Sequence, residues 1–134
     1  MTDKVFLDTN VIIYSLDQQH PHFPIAEDLL ARRPVISVQV INESLSVQLR
    51  KLKRTPATAQ EVAVWLLDHC EVIALEPADV RAAIDISRRY PLSHWDALIV
   101  ASALRAGCGV LYSEDMRHGL WVTPSLQILN PFAE

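Results

Sequence analysis

Short, mostly apolar runs alternate with longer segments of helical period along this chain, and that alternation restricts it to few architectures. Residues 4–7, 34–37, 71–75, 109–112 and 126–129 each read as a strand too short and too apolar to keep one face in water. Helix punctuation lies between them. A short helix is expected over residues 10–16, a loop at 20–24 and a helix over 25–33. A long helix is expected over residues 38–53, with Ile41, Leu45, Leu49 and Leu52 as its apolar stripe and Pro56 as its end. Thr58, with Glu61 three residues on, predicts a capped helix reaching His69. Pro77 predicts the first turn of a helix that reaches Tyr90 and is broken by Pro91. Ser93 predicts the cap of a helix over 95–105, closed by Gly107. Buried strands joined by helices imply the α/β class, here an α/β/α sandwich around a central, mainly parallel five-stranded sheet.

The length, 134 residues, suits one domain, and residues 1–134 are read as a single domain without repeats or linkers. Half the residues are hydrophobic and 21% are charged, which excludes a disordered chain. The net charge of −4 excludes a strongly basic nucleic-acid-coating protein but not a local basic patch. The longest unbroken apolar run is residues 62–67, far short of the roughly 20 needed to span a bilayer, so no membrane segment is expected. Met1-Thr2-Asp3-Lys4 leads into the first strand without a basic run or a long apolar core, so no signal peptide is expected. Cys70 and Cys108 are expected to be buried reduced thiols, and the compartment to be the cytoplasm.

In parallel sheets, functional side chains collect beyond the carboxyl ends of strands, near the point where strand order reverses. Four acids are candidates, and each has an ordinary explanation. Asp8, directly after the first strand, suits a helix N-cap. Glu43, about 200° around the helix axis from Ile41, suits a solvated helix face. Asp96, three residues after Ser93, suits a capping box with Asp in the acid's place. Yet Ala97-Leu98-Ile99-Val100-Ala101 predicts a buried helix behind it, at whose mouth a carboxylate must be capped, paired or metal-bound. Asp115, after the 109–112 strand, suits a turn.

Jointly the four read differently. Like charges gathered in one pocket raise each other's pKa values, and divalent cations remove that cost. Oxygen-only ligands select Mg²⁺ or Mn²⁺ over zinc, and such sites perform phosphoryl chemistry. The segments Val5-Phe6-Leu7-Asp8-Thr9-Asn10-Val11, Asn42-Glu43, Trp95-Asp96-Ala97-Leu98-Ile99-Val100-Ala101 and Tyr112-Ser113-Glu114-Asp115-Met116 resemble, in order and spacing, the four acidic motifs of the PIN domain. The resemblance spans nearly the whole chain, and its bare single-domain form is similar to the VapC toxins of bacterial and archaeal toxin–antitoxin pairs.

That resemblance implies an Mg²⁺- or Mn²⁺-dependent endoribonuclease, a homodimer held inactive by an antitoxin encoded by a neighbouring gene. It implies that Asp8, Glu43, Asp96 and Asp115 are the catalytic, metal-binding acids and that Asn10 and Ser113 support them. Glu114 matches a variable position, where it either supports the ligands or is solvated. The implied reaction is in-line attack of metal-activated water on phosphorus, leaving 5′-phosphate and 3′-hydroxyl ends. Neither the ribose 2′-OH nor a histidine pair takes part. Transfer RNA is the expected substrate ahead of messenger RNA.

The basic residues are clumped as Arg32-Arg33, Arg50-Lys51-Lys53-Arg54 and Arg88-Arg89. On an unbroken helix Arg50 and Arg54 share the face of Glu43, about 10 and 16 Å further along, and are candidate RNA-binding residues. The alternative is a solvated helix end whose cations complement the dipole. His20, His22, His69, His94 and His118 show no shared ligand spacing and suit surface or capping roles; His94, two residues from Asp96, is the one placed to touch substrate. Trp65-Leu66-Leu67 is core, or a dimer or antitoxin contact. A haloacid-dehalogenase-type phosphatase needs a second acid where Asn10 stands, and it shares with receiver domains the need for a lysine after Lys53, where none occurs. A metal-dependent module that binds RNA without cutting it is the remaining alternative.

Overall fold

The computed structural model describes residues 3–133, so the expectations placed on Met1 and Thr2 and on the outermost bounds of the domain lie outside the described residues. Its strands are β1 (Val5–Leu7), β2 (Val35–Ser37), β3 (Glu71–Ile73), β4 (Val110–Tyr112), β5 (Trp121–Thr123) and β6 (Leu126–Leu129). They form one sheet in the order β3-β2-β1-β4-β6-β5, parallel throughout except for the antiparallel β5–β6 edge. The mainly parallel sheet is as expected; its strand number is six rather than five. The added strand is β5, a β-rich Trp-Val-Thr followed by a two-residue Pro124-Ser125 connection, which is a hairpin signal in itself.

The helices are α1 (Thr9–Tyr14), α2 (Phe23–Ala31), α3 (Val38–Arg50), α4 (Pro56–His69), α5 (Pro77–Arg89) and α6 (His94–Arg105). Helices α1 and α2 end at Tyr14 and Ala31, two residues short of expectation, and three further boundaries differ for a definite physical reason. Pro24 lies inside the first turn of α2 rather than in a loop before it, as proline's fixed φ permits. Helix α3 stops at Arg50 rather than Lys53, and Lys53 takes a left-handed φ of 54° that no helix continues through. Helix α4 is capped by Thr55, not Thr58: the Thr55 hydroxyl accepts the Thr58 N–H at 3.2 Å, and Pro56 opens the helix.

The core runs through Phe6, Leu7, Ile36, Leu111 and Ile128 on the strands and through Ala97 to Ala103 on α6, all buried. Gly107, with φ at 75°, closes α6 as expected. On α3 the buried row is Val40, Ser44 and Gln48 with Ile41, whereas Leu49 and Leu52 are exposed. The row that faces the sheet is therefore one residue, about 100°, away from the leucine stripe. Helices α5 and α6 are clamped by Arg105, whose guanidinium donates to both oxygens of the buried Asp79 at 2.8 and 3.0 Å. Burial pulls the Asp79 carboxyl upward, but the Arg105 fork and the Glu76 N–H outweigh it and leave its pKa below the ordinary value. Cys70 and Cys108 are free and buried, and burial lifts each thiol to about 11. Among the described residues no helix is long and apolar enough to cross a membrane.

Strand order reverses between β1 and β4. From β1 the chain moves to β2 and β3 on one side, and β4 begins the other side. Helices leaving neighbouring strands in opposite directions open a crevice at the carboxyl ends, here beyond Leu7 and Tyr112, which pair in register.

Candidate metal centre

Because Leu7 and Tyr112 are paired, Asp8 and Ser113 leave the sheet side by side. The Asp8 N–H donates to Tyr112 O and the Ser113 N–H to Leu129 O, each at 3.0 Å, which continues the ladder one step beyond the strands. Asp8 is 5% exposed. Its Oδ1 accepts the Thr9 N–H at 2.7 Å, so it does cap α1. Its Oδ2 accepts the Ser113 hydroxyl at 2.8 Å and the Asn10 amide at 3.4 Å. The same Asn10 amide donates to Asp115 Oδ2 at 3.2 Å, and its oxygen accepts the Glu114 N–H at 3.1 Å. Ser113 Oγ also accepts the Asp115 N–H at 3.2 Å. Asn10 and Ser113 thus each bind the segments after β1 and β4 together.

Glu43 rises on α3, whose start is capped by Ser37 at the end of β2. It is not a solvated helix residue. Its Oε1 accepts the Thr9 hydroxyl at 2.6 Å and its Oε2 the Gln39 amide at 3.3 Å. Gln39 also donates to Trp95 O at 3.1 Å, tying α3 to the first turn of α6. There the Asp96 N–H donates to Ser93 Oγ at 3.1 Å. The Asp96 carboxylate makes no capping-box bond to the Ser93 N–H among the described residues; it interacts with the Ser93 side chain and lines the cleft.

Asp8, Glu43, Asp96 and Asp115 line one open cleft of about 470 Å³. Burial above all, with the charges of Asp96 and Glu43, outweighs the lowering hydrogen bonds of Ser113 and Thr9 and raises the Asp8 carboxyl to about 7. Asp96 is raised by burial and then by Asp115 and Glu43. The acids therefore lie in one another's field. Among the described residues no three His, Cys, Asp or Glu side chains stand together closely enough to hold a metal ion as they are placed, so a cation would have to draw the acids of the cleft inward. Oxygen-only donors on an open cleft suit a hard divalent cation that keeps several waters, and a buried carboxylate held against its own kind gains from such a charge.

Several residues of the site escape a reading by motif. Thr9 and Gln39 position Glu43, and only the place of Thr9 between two singled-out residues hinted at it. His20 and His22 gather around Tyr14, at ring distances of 4.4 and 4.9 Å, and His22 stacks on Phe132 at 4.2 Å. Tyr14 donates to Glu114 Oε1 at 2.6 Å, and His22 Nε2 lies 3.4 Å from Glu114 Oε2. Glu114 is held by this cluster and does not line the acidic cleft. The hydrogen bond to Glu114 pushes the Tyr14 phenol up to about 12.

The two arginines are not brought together. Arg50 is exposed at the end of α3, and Arg54 lines a second cavity of about 630 Å³ beside Trp65 and His69, whose rings stack at 4.3 Å. The unbroken helix that would align both with Glu43 is absent. Lys51 is the one cation lining the acidic cleft among the described residues. Leu66 is core, whereas Trp65 and Leu67 are exposed. His94 is exposed, with its ring 5.8 Å from that of Trp95, and does not line the cleft.

Residues 5–119 match the family model of the PIN domain. No curated protein matches the chain in sequence. Its fold is shared by a toxin–antitoxin complex from Klebsiella pneumoniae, with a TM-score of 0.73 and 17% identity over 96% of this chain and 98% of that one. It is shared by VapC20 of Mycobacterium tuberculosis, described as a sarcin–ricin loop cleaving toxin, with a TM-score of 0.70 and 20% identity over 84% and 90% of the two chains. The DNA-bound VapBC of Salmonella typhimurium gives a TM-score of 0.68 and 21% identity over 93% and 96%.

Proposed function

The chain belongs to the PIN domain family, and from that premise we propose that it is a divalent-metal-dependent endoribonuclease, the toxin of a VapBC-like pair, in which residues 1–134 form a single domain. The observation that supports this most is the meeting of Asp8, Glu43, Asp96 and Asp115 in one cleft at the strand-order reversal. Two of the fold neighbours are a toxin–antitoxin complex and a DNA-bound VapBC, and a third is a toxin described as cleaving the sarcin–ricin loop. By extension, the partner of this chain is an antitoxin encoded by a neighbouring gene, its assembly is a homodimer and its place is the cytoplasm. Its substrate is RNA, with transfer RNA ahead of messenger RNA.

Asp8, Asp96 and Asp115 would hold Mg²⁺ or Mn²⁺, with Glu43 ligating directly or through water. Bound there, the cation supplies charge neutralisation, polarises the phosphodiester and lowers the pKa of water. The chain's own residues do the rest. Ser113 and Asn10 fix the Asp8 and Asp115 carboxylates in one orientation, and Thr9 and Gln39 fix Glu43. Water attacks phosphorus opposite the 3′ oxygen, whose bond to phosphorus breaks. The products carry a 5′-phosphate and a 3′-hydroxyl.

The test is incubation of the antitoxin-free protein with total cellular RNA, with Mg²⁺ or Mn²⁺ and with chelator, beside Asp96→Asn. Discrete 5′-phosphorylated fragments that need both metal and Asp96 are expected. Loss of at least about a hundredfold is expected for Asp96→Asn. RNA that is bound with metal and left intact would favour the non-cleaving binding module.

A further inference from the structure

Among the described residues, Lys51 stands in the acidic cleft without a carboxylate partner. Its backbone N–H donates to Val47 O at 2.9 Å, which sets where its side chain leaves the end of α3. The side chain is exposed and lines the same cleft as the four acids, yet no acid lies within ion-pair distance of its ammonium among the described residues. Other exposed cations, Arg50, Lys53 and Arg88 among them, also have no ion pair among the described residues, so it is the place of Lys51 in the cleft of the four acids that sets it apart. A cation that shares a cleft with four acids and pairs with none of them faces a space into which an anionic group can fit. Ile13, Val47 and Leu52 line the cleft too, and none of their side chains donates a hydrogen bond. Beside the neutral donors Thr9, Asn10, Tyr14 and Ser46, a second phosphate entering the cleft finds Lys51 as the one cationic donor among the described residues.

We infer that Lys51 is a substrate-positioning residue that binds the RNA phosphate next to the one that is cut. The inference rests on the ribonuclease reading above. It also answers how a chain of net charge −4 admits a polyanion to an acidic cleft: one ammonium set apart from the carboxylates supplies local attraction that the arginines at positions 50 and 54 do not supply from inside the cleft.

The experiment measures binding of a short fluorescein-labelled single-stranded RNA of mixed sequence to Asp96→Asn protein across a salt series. Lys51→Gln, Lys51→Arg and Arg88→Gln are compared in that background, and KM and kcat are measured with Asp96 intact. Arg88→Gln makes the same change in net charge on α5, away from the cleft lining. Lys51→Gln is expected to weaken binding about three- to tenfold and to flatten the log–log salt slope by about 0.7, the share of one phosphate contact on a single strand. KM rises with kcat unchanged, Lys51→Arg restores both readouts, and Arg88→Gln moves neither. A lysine that only complements the α3 dipole would change thermal stability and leave the slope where it was, which overturns the inference. So does an equal effect of Arg88→Gln, or RNA that does not bind the Asp96→Asn protein at all. Absence of cleavage by the intact enzyme bears on the nuclease reading alone, since the salt slope is read on uncut RNA.

Discussion

The Ser113 hydroxyl donates to Asp8 Oδ2 at 2.8 Å, joining residues 105 positions apart at the ends of adjacent parallel strands. It is the contact through which β4 sets the orientation of the carboxylate that follows β1, and the same oxygen accepts the Asp115 N–H. One hydroxyl thus places two of the four acids.

Ser113→Ala removes both contacts from a buried position. It is expected to lower cleavage about tenfold, the usual effect of losing a group that orients a metal ligand. It also withdraws a hydrogen bond that holds the Asp8 carboxyl down, so the metal-free Asp8 pKa rises beyond about 7. Titration of Asp8 by carboxylate NMR, in wild type and variant with chelator, checks this; an unmoved Asp8 resonance would refute it.

The pH dependence of metal-free stability follows from the same carboxyl. Its folded pKa, about 7, lies above its ordinary value of 3.8. The folded state therefore binds the proton more tightly than the unfolded chain. The stability this contributes is fully present below about pH 4 and is lost as pH rises through about 7, and the raised Asp96 acts in the same direction. In chelator at pH 8, Asp8→Asn is expected to be more stable than wild type by about 2–4 kcal/mol, with the difference vanishing near pH 4. Mg²⁺ at pH 8 is expected to raise the wild-type Tm and leave Asp8→Asn nearly unmoved. Urea melts and thermal scans read both effects.

Thr9→Val keeps the shape of the first residue of α1 and deletes the hydroxyl that donates to Glu43 Oε1 at 2.6 Å. Among the described residues Glu43 then keeps Gln39 alone as a donor. A fall in kcat of about ten- to a hundredfold is expected with the fold intact by circular dichroism, and Thr9→Ser is expected to recover most of it. Equal loss in the Ser and Val variants would show that the methyl group, not the hydroxyl, matters.

Arg105→Ala strips the guanidinium fork from Asp79, whose carboxylate is buried between α5 and α6. The variant is expected to melt well below Arg89→Ala, in which only an exposed i,i+4 pair with Asp85 is lost. Because Asp79 titrates below its ordinary value, its stabilisation is present above about pH 4 and is lost as pH falls further. The gap between the two variants in Tm should therefore narrow in acid.

Much of the architecture is legible along the chain because its signals are local. Proline's preference for the first helical turn locates Pro77 at the start of α5, Ser93 announces the cap of α6, and the apolar run from Ala97 announces a helix buried on nearly all sides. The signals that mislead are local as well. Hydrophobicity favours the leucine row of α3, but the sheet takes the neighbouring row with Ser44 and Gln48. Thr58 has the residues of a cap, yet the helix starts three residues earlier, because Thr55 and Pro56 offer a better start.

Residue type and spacing are enough to single out the groups that carry the proposed chemistry: four carboxylates, two placed just beyond strands, one on a helix that follows a strand and one in the first turn of a buried helix. What each of them touches is settled only when the chain is folded. Asp8 meets Ser113, Glu43 meets Thr9, Gln39 ties Glu43 to the turn that carries Asp96, and Lys51 rather than Arg54 lines the cleft of the acids. The reason is physical. Capping and helix period act over three or four residues, within reach of a reading along the chain, whereas these contacts depend on strand register and on where α3 ends, which packing decides across the whole sheet.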